Sequence, residues 1–455
     1  MLKTTVEDIL KATGGTLLAG DERQFVTAVE TDSRLCGPGM LFVPLTAARD
    51  GHDFLGAALA AGAEGALCSK TPENFAPGKF YVAVADTRLA LKALASWYRA
   101  KFSIPFVQIT GSVGKTTTKE MIGAVLSEHY NTLRTEGNFN NDIGVPKTLF
   151  RLMPEHEAAV IETGMNHFGE IRYLGEMVRP DVAVISNVGD AHIENLGSRE
   201  GILRAKCEIF EHLKPTGFAV LNGDDALLNT VHPAVPVCRC GEGAGCNVRI
   251  ADVREHGIEA VSCTVVTERA AYDLRIPAPG RHMIYAAAMA AVVGERLGLS
   301  KEEIEAGVAH YEPAGERMRM LRHESGALLL SDCYNANPQS MAAAIETLGR
   351  SGCTHRIAVL GDMGELGAIS RQAHYDAGAL CAAQGVETVL AVGEKSAEIA
   401  RGAAESGCAD VRHFETREAA CAVLERLLGP DCAVLIKASH AMGFQAITAR
   451  LTQKT

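Results

Sequence analysis

Two rhythms of apolar residues alternate along most of the chain. Short, nearly continuous apolar runs read as strands buried on both faces: PFVQIT (105–110), AAVIET (158–163), DVAVISNV (181–188) and FAVLNGDD (217–225). Between them, the stretches 115–129, 168–178 and 198–213 read as helices. Strand and helix taking turns predict a mostly parallel sheet with helices on both faces. The segment 246–276 looks antiparallel instead, and HMIYAAAMAAVVGERLG (282–298) is a helical run. A second α/β series follows, with strands at ALLLSDCY (327–334), RIAVLGDM (356–363), TVLAVGE (388–394) and AVLIKAS (433–439). Ahead of both, MLFVPL (40–45) and KFYVAVAD (79–86) read as strands, and LALKALASWYRA (89–100) as an apolar-faced helix. The expected fold is α/β in three domains: a small N-terminal α/β domain (1–100), a central domain (101–312) and a C-terminal Rossmann-like α/β domain (313–455). Pro and Gly in YEPAGERMRM (311–320) mark the second join as a hinge.

Bulk properties narrow the function classes. A chain of 455 residues is too long for one core. A formal net charge of −11 argues against a nucleic-acid binder, which normally shows a basic face. The 13 cysteines are scattered, with no CxxC pair. Cys238, Cys240 and Cys246, with His232 as fourth ligand, make the best zinc candidate, but single cysteines are common small core residues. The start MLKTTVEDILKATGG lacks a signal pattern, and no apolar run reaches ~18 residues. A cytoplasmic protein with free thiols is expected.

The strongest chemical signal is QITGSVGKTTTKEM (108–121). An apolar strand runs into a glycine-rich turn and then a Thr-rich helix. Such a turn aims backbone N–H groups at an anion, and the helix start adds partial positive charge. Gly111, Ser112, Val113, Gly114 and Thr117 would cradle phosphates. Lys115 would reach the outer phosphates, and the Thr116 hydroxyl would ligate Mg²⁺. Only two residues separate Gly111 from the Gly114-Lys115 pair, where the usual Walker A loop leaves four. Glu162 ends the second strand of this series, where a carboxylate can hold Mg²⁺ or be a solvated loop residue. His192 follows the third strand, and a lone His there is usually structural. Lys206, on an amphipathic helix, reads by itself as a surface residue.

TGSVGKTTT resembles the short T-G-x-x-G-K-T/S loop of the Mur ligase superfamily, which also includes folylpolyglutamate synthetases. The resemblance extends over nearly the whole chain. IETGMNHFGEI and ISNVGDAHIENLGS match the superfamily's E-T-G and N-x-x-x-x-H motifs, implying Glu162 and His192 as metal-binding residues. AKCEIF (205–210) resembles A-K-x-E-I/L-F, implying a carbamylated lysine at Lys206 that helps position Mg²⁺. Further stretches resemble the branch that joins D-alanyl-D-alanine to a UDP-linked muramoyl tripeptide, using ATP. TEGNFNNDIGVPKTLF (135–150) contains Asn138, expected near the phosphates. TDSR (31–34) and ARDGHDF (48–54) imply UDP contacts from Ser33, Arg34, Asp50 and His52. SDCYNANPQSMAAAIETL (331–348) implies roles for Asp332 at the nucleotide and for Asn335 and Asn337 at the substrate, and LGDMGELG with His374 follows. Arg317, past the hinge, is expected to reach a phosphate when the domains close.

Two departures stand out. PGRHMIYAAAMAA (279–291) resembles G-x-H-N-x-x-N-A-x-A-A and keeps His282, but Met283 and Ala286 replace two asparagines that lie near adenine in relatives. VLIKASHAMG (434–443) carries Ala438 and His440 where relatives have Gly and Arg. The implied reaction is ATP-driven amide formation by a monomer that binds UDP-N-acetylmuramoyl-tripeptide and D-alanyl-D-alanine. The alternatives are a sister ligase, a folylpolyglutamate synthetase, or a nucleotide-binding but inactive relative acting as an interaction subunit.

Overall fold

A computed structural model describes residues 1–315 and 317–452. Among them the strands form three main α/β sheets. The N-terminal sheet has the order Thr16–Ala19, Phe80–Ala83, Gly65–Cys68, Met40–Phe42, Ala28–Glu30. Helix Thr87–Arg99 leaves it and packs toward the central domain. Tyr98 of that helix is buried, receives the Leu2 N–H at 2.6 Å and donates to the Leu152 carbonyl at 2.7 Å. Val6, Leu91 and Phe102 share one apolar cluster with Val145, Leu149 and Met177, so the first two domains are joined through a common core.

The central sheet runs Ala271–Ile276, Ala260–Val266, Val248–His256, Val237–Gly241, Phe218–Asn222, Val182–Ile185, Phe106–Thr110, Ala158–Glu162, Thr132–Arg134. The strands from Val237–Gly241 onward in that order pair parallel, and the antiparallel part is confined to the other edge. Every residue of Phe106–Thr110 and of Ala158–Glu162 is buried, which explains their continuous apolar character. Phe106–Thr110 lies mid-sheet although it comes first in sequence, so the chain reverses its order beside it, and ligands bind outside the carboxyl ends of strands at such a point. Helix Met283–Arg296 is almost entirely buried, and its run of alanines allows close packing against helix Lys115–Ser127 and the sheet.

The C-terminal sheet has the order Arg319–Arg322, Leu328–Asp332, Cys432–Lys437, His355–Gly361, Thr388–Val392, Asp410–Phe414, parallel after its first strand. Its two faces carry separate apolar clusters. Strand Arg319–Arg322 occupies part of the segment expected as a hinge. Some boundaries fall short of their sequence reading. The run 181–188 is a strand only to Ile185, after which its backbone turns toward the phosphate loop. The run 198–213 is helical to Cys207 and tightens into a short turn, Glu208–Phe210, where Glu208 turns inward to accept the Gly169 and Arg172 N–H groups. No helix among the described residues is long and apolar enough to cross a membrane.

Candidate active site

Strand register gathers the site. Glu162 pairs with Ile109, and Ile185 with Thr110, so Gly111, Glu162 and Ser186 emerge at one edge of the sheet. Gly111 has φ +156°, and a Cβ there would lie 1.9 Å from Ser186 Oγ. Gly114 is left-handed at φ 77° and opens helix Lys115–Ser127 with its first N–H groups free for an anion. The loop is tied down from the neighbouring strand: Val113 N–H donates to Asn187 Oδ1 at 2.9 Å, and Ser186 Oγ donates to the Val113 carbonyl at 2.6 Å.

A cavity of about 570 Å³ lies over this edge. Ser112 to Thr117, Asn138, Glu162, His192, His282, Arg317, Asp332, Asn335 and Asn337 all line it. Thr116 Oγ1 donates to Glu162 Oε2 at 2.8 Å, and Asn140 Nδ2 donates to Oε1 at 2.9 Å. This hydroxyl and carboxylate suit Mg²⁺, which takes few protein oxygens and completes its shell with phosphates and water. Among the described residues no group of three His, Cys, Asp or Glu is placed to hold a metal, so the cysteine-rich stretch forms no zinc cage. Cys238 and Cys240 are instead buried in a strand, and Cys246 contacts Asp224.

Two lysines lie near enough to repel each other: Lys115, which lines the cavity, and Lys206, which is not among its lining residues. Lys115 Nζ donates to the Gly111 carbonyl at 2.7 Å, and burial lowers its pKa. Lys206 is not on the surface: it is 1% exposed. Helix Arg199–Cys207 turns that face inward, which overturns the reading of this lysine from its own helix alone. It makes no hydrogen bond or ion pair to a described residue. Burial, and then repulsion from Lys115, hold its ammonium well below 10.5. His192 sits at φ 64° and places Nδ1 2.5 Å from Glu365 Oε2, a contact too bent to be a well-formed hydrogen bond. Burial, and then Lys115, push its pKa down against the opposing pull of Glu365.

The C-terminal domain closes the cavity. Asp332 and Lys437 are paired neighbours at the ends of adjacent strands, and Lys437 Nζ donates to Asp332 Oδ2 at 2.5 Å and to the Asn335 carbonyl at 2.9 Å. The Arg317 guanidinium stacks 3.8 Å from the Tyr334 ring, so this arginine is held at the cavity and not loose in a solvated linker. Asn337 caps helix Pro338–Gly349, accepting from Ser340 N–H at 2.9 Å, so its amide also has a structural duty. His374 is buried away from the cavity and accepts the Met363 N–H at 2.9 Å. Met283 and Ala286 line the cavity beside Ala278, Pro279 and Met289, an apolar wall. The His440 ring lies 5.6 Å from the Tyr334 ring, tilted 44° against it.

Ser33, Arg34, Asp50 and His52 stand apart from the cavity lining, on two short turns that flank helix Leu55–Ala60. Arg34 pairs with Asp32 at 2.6 Å and is mostly exposed. Asp50 accepts from Lys70 at 2.5 Å and from His52 Nδ1 at 2.7 Å, and these donors lower its pKa. His52 Nε2 accepts the Ser69 N–H at 3.0 Å, which assigns the proton to Nδ1. Sequence reasoning did not pick out Asn140, Gln339, Glu365 or Lys437. A charged residue ending an apolar strand was a usable signal for Lys437. Glu365 and Gln339 had none, since their contacts span the domain boundary.

The fold and site define an α/β phosphate-loop enzyme in which Lys115 and Glu162 line a cavity that Asp332, Asn335 and Lys437 of the C-terminal sheet also line. Residues 109–294 match the Mur ligase middle domain and residues 316–440 the Mur ligase glutamate ligase domain. The UDP-N-acetylmuramoyl-tripeptide–D-alanyl-D-alanine ligase of Escherichia coli is 37% identical over 100% of this chain and 99% of that enzyme, and the Bacillus subtilis enzyme of the same name 35% over 100% and 99%. The crystal structure of MurF from Acinetobacter baumannii superposes with a TM-score of 0.90 at 32% identity, covering 99% of each chain. MurF ligase from Thermotoga maritima in complex with ADP gives 0.83 at 26%, covering 93% of this chain and 96% of that one. The chain belongs to the UDP-N-acetylmuramoyl-tripeptide–D-alanyl-D-alanine ligase family of Mur ligases.

Proposed function

We infer that the chain joins D-alanyl-D-alanine to UDP-N-acetylmuramoyl-tripeptide with ATP, a step of peptidoglycan precursor synthesis, through an acyl phosphate. The observation that carries this reading is the placement of Lys115, Thr116 and Glu162 in one cavity closed by Asp332, Asn335 and Arg317 from another domain. A carboxylate oxygen of the tripeptide attacks the γ-phosphorus, and the bond to the β-phosphate oxygen breaks to release ADP. The dipeptide nitrogen then attacks the acyl carbon, phosphate leaves, and the nitrogen loses a proton. Lys115 and the N–H groups of Gly114 to Thr117, which Asn187 does not take up as it takes up those of Ser112 and Val113, bind and orient the phosphates and neutralise charge as it moves to the leaving group. Thr116 and Glu162 would hold Mg²⁺, with His192 and Lys206 as the further metal-site candidates, and the ion would neutralise phosphate charge.

A carbamate on Lys206 fits this site. A buried amine with a lowered pKa keeps its lone pair free to add to CO₂, and the resulting anion gains a partner in Lys115. Ser33, Arg34, Asp50 and His52 are assigned to the UDP end, His282 and Asn138 to the nucleotide, and Asn335 and Asn337 to the peptide. Domain limits at 100/101 and 312/313, a monomeric state and a cytoplasmic location belong to the same proposal. The test is phosphate release from ATP with UDP-muramoyl-tripeptide, with and without D-alanyl-D-alanine. Dipeptide-dependent release supports it, whereas release that ignores the dipeptide overturns it.

A further inference from the structure

Residues 187–192 form a loop held from two sides. Toward the phosphate loop, Ser112 N–H donates to the Asn187 carbonyl at 3.1 Å, and Gly189 N–H donates to Ser112 Oγ at 2.9 Å. Toward the C-terminal domain, Gln339 makes a reciprocal pair with Asp190: the Asp190 N–H donates to Gln339 Oε1 at 3.3 Å, and Gln339 Nε2 donates to Asp190 Oδ2 at 3.2 Å. A Cβ on Gly189 would lie 2.2 Å from the Gln339 amide oxygen, so this approach requires glycine. Two residues further on, His192 meets Glu365. Both are non-glycine residues in left-handed conformation, at φ 64° and 58°, each facing the other across the domain boundary. Backbone strain of this kind persists only where the surroundings enforce it, and it concentrates at functional sites.

We propose that Gln339 and Glu365 are positioning residues that set the 187–192 loop, and with it the His192 ring, when the C-terminal domain closes. The Glu365 carboxylate lies 2.5 Å from Nδ1, without a well-formed hydrogen bond in this arrangement, and Nε2 is the ring nitrogen left for the cavity that His192 lines. Gln339 fixes the loop backbone two residues earlier. Because the loop's other side is bonded to Ser112, domain closure and the phosphate loop are mechanically linked through it. The inference rests on the ligase reading above.

The test uses the full-length chain with Glu365→Gly, Glu365→Asp and Gln339→Ala. Glycine suits the left-handed backbone at 365, so Glu365→Gly removes the carboxylate without straining the fold. Dipeptide-dependent phosphate release, ADP affinity by calorimetry, melting temperature and domain closure by small-angle scattering are measured together. The expected result for Glu365→Gly is a kcat about tenfold or more below wild type, as for loss of an outer partner of a site histidine. ADP affinity stays within about twofold, the melting temperature does not fall, and Glu365→Asp recovers part of the rate. Gln339→Ala is expected to lower kcat and weaken ligand-induced closure. An unchanged kcat in both variants overturns the inference, as does a loss of ADP affinity that matches the loss of kcat. If wild type shows no dipeptide-dependent turnover, the ligase reading fails. In that case scattering still decides the coupling: closure of the variants equal to wild type overturns it.

Discussion

Replacing Lys206 with methionine should stabilise the ligand-free protein while abolishing turnover. The lysine is 1% exposed, and no described residue pairs with its amine. Burial and then Lys115 hold its pKa well below 10.5, so the folded chain gives up a proton that the unfolded chain keeps. The unfolded state therefore binds more protons, and wild-type stability rises with pH from the lowered folded-state value up to 10.5. Methionine has a similar reach and no such penalty. Exchanging buried ionic groups for apolar ones of like size gains about 1–4 kcal/mol, and each kcal/mol moves the melting point of a domain of ~150–250 residues by ~2–4 °C. The gain should be large near pH 7 and shrink toward pH 10, as the wild type loses its handicap. Thermal melts across this range in CO₂-depleted buffer measure it. Added bicarbonate should raise the melting point of wild type and leave the variant unmoved, since a carbamate would pair with Lys115. Turnover should fall by about 100-fold or more, the scale for losing a positioned charge at a reacting centre. A variant that melts lower than wild type near pH 7 in that buffer, or a gap that widens with pH, refutes the argument, and turnover within tenfold of wild type refutes the role.

Gly111→Ala would force a Cβ to 1.9 Å from Ser186 Oγ at φ +156°, breaking the hydroxyl's hold on Val113; overpacking of about 1–3 kcal/mol should weaken ADP by about tenfold in calorimetry. Tyr98→Phe removes both hydrogen bonds that tie residues 2 and 152 to the shared core, and urea denaturation should show a loss of about 1–3 kcal/mol. Ala286→Asn restores an amide on the apolar wall; if the base lies there, ATP should bind more tightly by about 0.5–1.5 kcal/mol with GTP little changed, read from competitive binding. Arg350→Ala breaks a bridge in which Arg350 Nη1 of the C-terminal domain donates to both carboxylate oxygens of Glu255 in the central domain, at 2.8 and 2.9 Å, and should shift the closed population by up to about fivefold in scattering experiments.

The sequence by itself determined the α/β class, the phosphate loop and its helix, and the strand ends that carry Glu162 and Asp332, because each is local. A buried parallel strand must be apolar throughout, and a phosphate loop must spend glycines where the backbone turns left-handed. The motif resemblance carried Lys206 and His192 into the site, although neither residue's own surroundings in sequence argued for it. Tertiary structure alone decided that Lys206 is buried without a partner among the described residues, because helix orientation depends on what packs against each face. It likewise decided that Arg317 stacks on Tyr334 and that Met283 and Ala286 form an apolar wall. The contacts of Gln339 and Glu365 with the 187–192 loop join positions about 150 residues or more apart. Periodicity and spacing report only on neighbours along the chain, so a contact made by bringing two domains together leaves no trace in either.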